Sequence, residues 1–232
     1  MNPTPAKRPR PIIAIDGPVG VGKSTVAREL ARELGFRYVN TGAMYRAVAI
    51  AARERNLGTD QPDVEARLAA MLDAITIELE ADRILLDGRD VTAALSEPEI
   101  GELASRLSAL AVVRQKMRDL QQAMGREGGL VMEGRDIGTA IFPDAEFKFF
   151  LDAEVEVRAD RRFAELKAKG VAITREQVLV QLQQRDRRDS SRELAPLRCA
   201  DDAFVIDSSR FTVAQVLAQI QSRIKMGRDA RS

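Results

Sequence analysis

The glycine-rich segment from Gly17 to Thr25 carries the most specific chemistry in this sequence. Gly17, Gly22, Lys23 and Ser24 match the pattern Gly-x-x-x-x-Gly-Lys-Ser/Thr at every fixed position. In such a loop, glycines let consecutive backbone N–H groups face one anion, and the lysine reaches the β- and γ-phosphates of a nucleotide. The hydroxyl of Ser24 can bind the Mg²⁺ that accompanies a nucleoside triphosphate. We therefore predict that the segment binds a triphosphate.

The alternative is a glycine-rich turn that binds nothing. The residues on either side disfavour it, because the apolar run Ile12 to Ile15 precedes the loop and a helical pattern from Ser24 to Leu34 follows. A strand, a glycine loop and a helix in this order are the context that the phosphate-binding pattern requires.

Glu133, Gly134, Arg135 and Asp136 follow a second apolar run, Leu130 to Met132. The guanidinium of Arg135 presents a planar fork of donors that suits a phosphate. The carboxylate of Asp136 could accept from an exocyclic amine or bind Mg²⁺ through water. Spacing alone leaves open a simpler interpretation, in which these residues form an ion pair at the end of a strand with an arginine elsewhere in the chain.

A charged run extends from Arg185 to Glu193, and all its basic residues are arginines. Arg185, Arg188 and Arg192 have the spacing i, i+3, i+7 and would share one helical face. A charged run of this kind is usually a solvated helix end. The other interpretation is a mobile segment that closes over a transferring phosphoryl group and supplies positive charge.

Thr41 and Arg46 lie after the predicted second strand, Phe36 to Val39. Thr41 could cap the helix that follows, and Arg46 would lie one turn further on. By pattern alone a helix cap and a surface arginine are the simplest interpretation. Ser105 and Arg114 lie in helical stretches and have no distinctive spacing of their own.

Composition excludes several classes of function. The chain of 232 residues contains no histidine, which excludes His-based general bases and His-ligated zinc, and its single cysteine, Cys199, permits no intrachain disulfide. The net charge of +1 gives no global field for nucleic acid or an anionic membrane. We expect a soluble cytoplasmic monomer that contacts neither nucleic acid nor membrane.

Short apolar strands alternate with amphipathic helices along most of the chain. This order predicts an α/β fold with a doubly wound, five-stranded parallel sheet, whose ligands bind at the carboxyl ends of the strands. The strand-like runs at 76–80 and 83–87 predict a small antiparallel hairpin inside an inserted lobe. The domains we predict are a core of residues 12–59 and 111–232, an inserted lobe of residues 60–110, and a flexible arm of residues 1–11.

Taken together, these motifs resemble those of the bacterial cytidylate kinases. The resemblance rests on the glycine loop, the segment Asn40 to Arg46, the segment Glu133 to Thr139, and the segment Arg185 to Asp189. Ala195-Pro196-Leu197 and Asp207-Ser208 extend it over nearly the whole chain. Threonine at 41 and glutamate at 133 stand where some relatives have serine and aspartate, which preserves a hydroxyl and a negative charge.

The resemblance implies Mg²⁺-dependent phosphoryl transfer from ATP to CMP and dCMP. It also implies a core, a lobe that binds the nucleoside monophosphate, and an arginine-bearing lid at about 185–195. The residues that it implies for ATP are Gly17, Pro18, Val19, Gly20, Val21, Gly22, Lys23, Ser24 and Thr25, with Ser24 as the Mg²⁺ ligand. For CMP it implies Thr41, Arg46, Ser105, Arg114, Glu133, Arg135, Asp136, Arg185 and Arg192, and for catalysis Lys23, Arg135, Arg185 and Arg188.

Two rival functions differ in what receives the phosphoryl group. One is a kinase of the same class for another small acceptor, such as UMP, AMP or shikimate. The other is a regulatory ATPase or nucleotide switch that acts on a protein. A guanine-reading switch would normally carry Asn-Lys-x-Asp after a late strand, and that motif is not in the sequence.

Overall fold

The structure, a computed structural model, describes residues 8–80 and 83–229. Eight strands and eight helices follow one another along them. The strands are β1 Ile12–Asp16, β2 Arg37–Asn40, β3 Ile77–Glu80, β4 Arg83–Leu86, β5 Arg89–Asp90, β6 Leu130–Gly134, β7 Phe147–Asp152 and β8 Phe204–Asp207. The helices are α1 Lys23–Leu34, α2 Thr41–Glu54, α3 Val64–Ala74, α4 Pro98–Leu107, α5 Ala111–Met124, α6 Val155–Ala168, α7 Arg175–Ser191 and α8 Val213–Asp229.

Five strands form one sheet in the order β2-β6-β1-β7-β8. β1 runs parallel to β6 and β7, and β7 runs parallel to β8. β1 is buried along its whole length, as expected for a central strand covered on both faces. The predicted five-stranded, doubly wound sheet is confirmed.

The described residues fall into two compact units. The first holds the described residues up to Tyr38 and from Glu127 onward, and the second holds Val39–Arg126. The division differs from the predicted boundaries at residues 60 and 110, because α2 and α5 belong to the second unit. The reason is packing, since α2 lies against α4 and β4, and α5 lies against α3.

In the first unit, apolar side chains of the sheet pack beneath α1 and α8. Ile15, Val131 and Phe149 on the central strands are fully or almost fully buried, and they belong to one cluster with Leu30 of α1 and Ile220 of α8. Gly35 ends α1 in the left-handed conformation at φ 59°, directly after the helical pattern predicted for Ser24 to Leu34.

Residues 8–11 are held in place rather than loose. Arg8 pairs with Asp144 at 2.5 Å and also contacts Glu146, and the guanidinium of Arg10 lies 4.4 Å above the ring of Phe36. These contacts differ from the flexible arm predicted for residues 1–11, because the arginines find acidic and aromatic partners on the core. Residues 1–7 of that predicted arm lie outside the described residues.

The second unit contains the predicted hairpin. β3 and β4 pair antiparallel, with Ile77 opposite Leu86, and residues 81–82 lie outside the described residues. A short third strand, β5, extends this sheet and was not predicted, because two exposed residues carry no hydrophobic pattern. Leu86 is buried, so the small sheet packs its apolar side inward.

Thr41 does not cap α2, contrary to the prediction. The cap is the preceding residue Asn40, whose Oδ1 accepts a hydrogen bond from the backbone N–H of Ala43 at 3.0 Å. Asparagine suits the cap because its amide oxygen reaches the third N–H of the helix. Thr41 is therefore the first helical residue, and it is buried.

Candidate active site

The phosphate loop joins β1 to α1 in the first unit. Gly17, Gly20 and Gly22 have φ angles of 145°, 85° and 92°, which L side chains rarely adopt. At Gly17 there is also no room for a side chain, because a Cβ would lie 2.0 Å from the carbonyl oxygen of Leu151. The predicted loop thus has the backbone shape that its glycines allow, and the first turn of α1 follows it at once.

Lys23 lies in that first turn and is buried. Its Nζ donates a hydrogen bond to the carbonyl oxygen of Pro18 at 2.6 Å, so the side chain spans the loop. Burial, and then the positive charge of Arg135, hold the pKa of Lys23 well below its usual range. An anion in the loop would oppose both effects and favour the charged ammonium.

Tyr38 and Glu133 form a hydrogen-bonded pair close to Ser24. The hydroxyl of Tyr38 donates to Oε1 of Glu133 at 2.8 Å. Burial and the Glu133 carboxylate raise the pKa of Tyr38 above its usual range, whereas the nearby Ser24 lowers it, so the phenol stays protonated as a donor. The hydrogen bond gives buried Glu133 a partner.

The described residues, 8–80 and 83–229, contain no cluster of three or more acidic or cysteine side chains that could hold a metal ion. Mg²⁺ that arrives with a nucleotide needs only one or two protein ligands, because phosphate oxygens and water supply the others. The hydroxyl of Ser24, in the first turn of α1, fits that requirement.

Asp16, at the end of β1, holds the turn that follows β6. Its two carboxylate oxygens accept hydrogen bonds from the backbone N–H groups of Ile137 and Gly138, at 2.9 and 2.7 Å. Residues Ile137–Ile141 form a π-helical turn that was not predicted. Burial raises the pKa of Asp16 to about 6, although the two N–H groups favour its ionised form.

The predicted motifs at 133–136 and 185–193 meet in the first unit through ion pairs. Nε of Arg135 lies 3.0 Å from Oδ2 of Asp189, and Nη2 of Arg192 lies 3.4 Å from Oδ1 of Asp136. Arg185 also lies 4.0 Å from Asp189. The strand-end ion pair that the sequence left open is therefore present, and its partners are the residues of the charged run.

The three arginines do not share one helical face, contrary to the prediction. α7 ends at Ser191, and Arg192 has extended backbone with φ −64° and ψ 140°. Its Nε donates to the carbonyl oxygen of Ala195 at 2.7 Å, which turns the guanidinium toward Asp136. The reason is that the helix ends before Arg192, so this side chain leaves the helical face and pairs with Asp136, two residues after β6.

Asp189 is an important residue that the sequence analysis missed. Burial opposes its ionisation, but Arg135, Arg185 and Arg192 outweigh that effect and hold the pKa of Asp189 below its usual range. The charged run contains two aspartates among its four arginines, and that composition could have indicated that its charges are partly balanced internally. The arginines therefore do not depend on a polyphosphate to offset their repulsion.

The remaining predicted residues lie in the second unit. Thr41 begins α2, and Nε of Arg46 lies 4.0 Å from the position that a Cβ at Gly101 would take on α4. Arg114 of α5 donates to the carbonyl oxygen of Ser108 at 3.3 Å. Ser105 is buried one turn after Gly101, and its Oγ has no hydrogen-bond partner among the described residues. Arg46, Ser105 and Arg114 thus gather along α4.

Comparison with known proteins gives a consistent result. The family model described as cytidylate kinase matches residues 13–226. A cytidylate kinase of Citrifermentans bemidjiense is 46% identical over 215 residues, which covers 92% of both chains. One of Geobacter sulfurreducens is 45% identical with the same coverage, and one of Pelotomaculum thermopropionicum is 46% identical over 94% of this chain and 97% of the relative.

The matched region includes every residue assigned above to the loop, the end of β6 and the charged run. None of the helices in the described ranges is long and apolar enough to span a membrane. Because the family model matches most of the chain and these relatives are 45–46% identical over 92–94% of it, the chain belongs to the cytidylate kinase family.

Proposed function

We propose that this chain transfers the terminal phosphoryl group of ATP to CMP and dCMP, giving CDP and dCDP. The observation that carries the proposal is the family match over residues 13–226. It is supported by the charges around buried Lys23, since burial, Arg135 and Arg185 lower the pKa of its amine while Glu133 and Asp16 raise it. Arginines near the lysine of a phosphate loop suit a reaction whose reactants and transition state are all anionic.

We assign ATP to the loop of residues 17–25, whose backbone curvature allows several N–H groups to face the phosphates. Lys23 would exchange its contact with Pro18 for the β- and γ-phosphates. Mg²⁺, when bound with the nucleotide through Ser24, would neutralise phosphate charge. These assignments need no histidine and no metal cluster made by the protein alone.

The acceptor requires no general base. The phosphate oxygen of CMP is already anionic at neutral pH, so catalysis is alignment and charge neutralisation. We assign the acceptor phosphate to Arg46, Arg135 and Arg185, and the charge on the transferring group to Lys23 and Arg188. The arginines would also reduce the repulsion between the two phosphorylated substrates.

We assign the cytosine base to Asp136 and Arg192, together with Ser105 and Arg114. A carboxylate beside a guanidinium offers an acceptor next to a donor, which matches the amine and the neighbouring ring nitrogen of cytosine. Uracil has a carbonyl where cytosine has the amine, so Asp136 would face an acceptor. The buried, unpartnered hydroxyl of Ser105 is costly in the free protein, and a bound substrate would satisfy it. Thr41 and Glu133 complete the assignment to CMP.

An acceptor panel tests the proposal. ATP turnover would be measured by a coupled assay with CMP, dCMP, UMP, AMP, GMP and shikimate in separate reactions. We expect CMP and dCMP to give the highest kcat/KM. A higher kcat/KM with shikimate or with a nucleoside monophosphate other than CMP and dCMP would identify that compound as the acceptor. ATP loss without any acceptor would indicate an ATPase.

A further inference from the structure

Arg158 lies in the first turn of α6, outside every motif discussed above. Its guanidinium is buried and has three partners in three different segments. Nε donates to the carbonyl oxygen of Ala153 at 2.9 Å, and Nη1 donates to the carbonyl oxygen of Val19 at 3.3 Å. Nη1 also lies 2.6 Å from Oδ2 of Asp186 on α7. One side chain therefore joins the phosphate loop to α7.

The packing around Arg158 supports the same link. The side chain of Val19 packs against an apolar cluster that α6 and α7 share, formed by Ala159, Leu166, Val178 and Leu182. At the next position of the loop, a Cβ on Gly20 would lie only 3.1 Å from Cβ of Arg158. The phosphate loop therefore rests directly on α6, and a shift of its backbone would disturb Arg158.

The ion pair between Arg158 and Asp186 is shielded from water. The side chains are 7% and 22% exposed, and Oδ1 of Asp186 is buried without a hydrogen-bond partner among the described residues. A carboxylate in this setting depends strongly on the cation that pairs with it, because an uncompensated buried charge is costly. Asp186 is thus held where Arg158 places it.

The position of Asp186 has consequences for the rest of α7. Arg185 precedes it directly, and Asp189, which pairs with Arg135, lies three residues further on, less than one helical turn. A contact that fixes Asp186 therefore also fixes the C-terminal end of α7, both its rotation about the helix axis and its position along that axis.

We propose that Arg158 is a positioning residue that couples occupancy of the phosphate loop to the arginine-bearing end of α7. Nucleotide phosphates in the loop hold the Val19 carbonyl in place, and Arg158 transmits that constraint to Asp186. The inference rests on the proposed function only in assigning a nucleotide triphosphate to the loop, and it does not depend on which acceptor is used.

The chain offers a matched control for this proposal. A second ion pair, between Nε of Arg175 and Asp160 at 2.5 Å, also joins α6 to α7. It is more exposed, and the structure shows no contact between these two residues and the phosphate loop. If the Arg158 contact only held the two helices together, loss of the Arg175–Asp160 pair should have the same effect as loss of the Arg158–Asp186 pair. If the Arg158 contact couples α7 to the phosphate loop, only loss of the Arg158–Asp186 pair should have that effect.

Hydrogen exchange of the α7 backbone amides tests the coupling without any acceptor. The probe is the β,γ-imido analogue of ATP with Mg²⁺, added to the full-length wild type and to the variants Arg158→Lys, Asp186→Asn and Asp160→Asn. In the wild type we expect the analogue to slow exchange in residues 184–191 about tenfold. Arg158→Lys and Asp186→Asn should lose most of that protection although the analogue still binds, and Asp160→Asn should keep it.

Several outcomes would overturn the proposal. They are full protection in Arg158→Lys and Asp186→Asn, equal loss in Asp160→Asn, and no protection in the wild type at saturating analogue. Calorimetric titration with the analogue shows whether each variant binds it, so a variant that fails to fold is recognised. If Asp186→Asn fails to fold, the result with the more conservative Arg158→Lys decides the test. If CMP were not the acceptor, the activity panel would fail while the α7 protection remained, so the two failures are distinguishable.

Discussion

The carboxylate of Asp16 accepts a hydrogen bond from the backbone N–H of Gly138 at 2.7 Å, across two neighbouring parallel strands. This contact joins the end of β1, where the phosphate loop begins, to the turn that follows Arg135 and Asp136. Both halves of the proposed site are thus anchored on one buried carboxylate. Because burial raises its pKa to about 6, the contact should depend on pH.

Asp16 should make the stability of the protein fall as pH rises from about 4 to about 7. Its pKa is about 6 in the folded state and 3.8 in the reference state, so the folded protein holds the proton over that interval and the unfolded chain does not. The contribution is complete below pH 4 and is lost through pH 6. When the free energy of unfolding is compared with that of Asp16→Asn at each pH, the wild-type value should decrease by about 3 kcal/mol between pH 4 and pH 7. Urea denaturation at four pH values measures it, and a difference that is constant with pH would contradict the prediction.

Lys23→Met should lower kcat by about 10²- to 10³-fold, because a charge that faces the transferring phosphoryl group is lost. The fold should persist, since a buried amine is exchanged for an apolar chain of similar length. Lys169→Met, on the exposed end of α6, is the control and should keep wild-type turnover. Steady-state kinetics and circular dichroism measure both properties. Near-normal turnover in Lys23→Met would remove the loop from the mechanism.

Asp136→Ala should reduce kcat/KM for CMP by about 10- to 100-fold, the usual effect of losing a charged hydrogen-bond partner. KM for ATP should change little, and the ratio of kcat/KM for CMP to kcat/KM for UMP should decrease. Initial rates with each acceptor at saturating ATP measure these effects. An equal loss for both substrates would mean that Asp136 acts only through its ion pair with Arg192.

Ser105→Ala should raise KM for CMP several-fold while the free energy of unfolding stays the same or increases. The hydroxyl is buried without a hydrogen-bond partner among the described residues, so its removal from the free protein costs nothing. Ser108→Ala is the matched control. Its Oγ donates to the carbonyl oxygen of Ser105 at 2.8 Å, so the variant should lose about 1 kcal/mol of stability and keep KM. Chemical denaturation and steady-state kinetics measure both properties. Lower stability with an unchanged KM for CMP in Ser105→Ala would mean that Ser105 does not bind the substrate.

Gly128→Ala should destabilise the fold by about 2 kcal/mol or more. The residue has φ 65°, and an added Cβ would lie 1.7 Å from the carbonyl oxygen of Arg10. Gly88→Ala has a similar φ of 75° but open space around the added atom, so only the conformational cost of about 1 kcal/mol applies. Thermal or urea denaturation compares the two. An equal loss of stability in the two variants would show that the backbone of residues 8–11 moves away from the added Cβ at little cost.

The sequence by itself determined the elements that depend on local pattern. The apolar runs at Ile12 to Ile15 and Leu130 to Met132 predicted central strands because parallel strands are buried on both faces. The glycine spacing predicted the phosphate loop because few other residues adopt its backbone angles. The motifs also identified the family, and with it the residues of the proposed site.

Tertiary structure decided which charges meet. No spacing rule pairs Arg135 with Asp189 or Arg192 with Asp136, because these contacts join residues more than 50 positions apart. The roles of Asp16, Tyr38 and Arg158 were equally hidden, since their partners lie in segments that are distant along the sequence. Local sequence sets backbone preference and burial, whereas the partner of a polar side chain depends on which strand ends and helices the folded sheet places side by side.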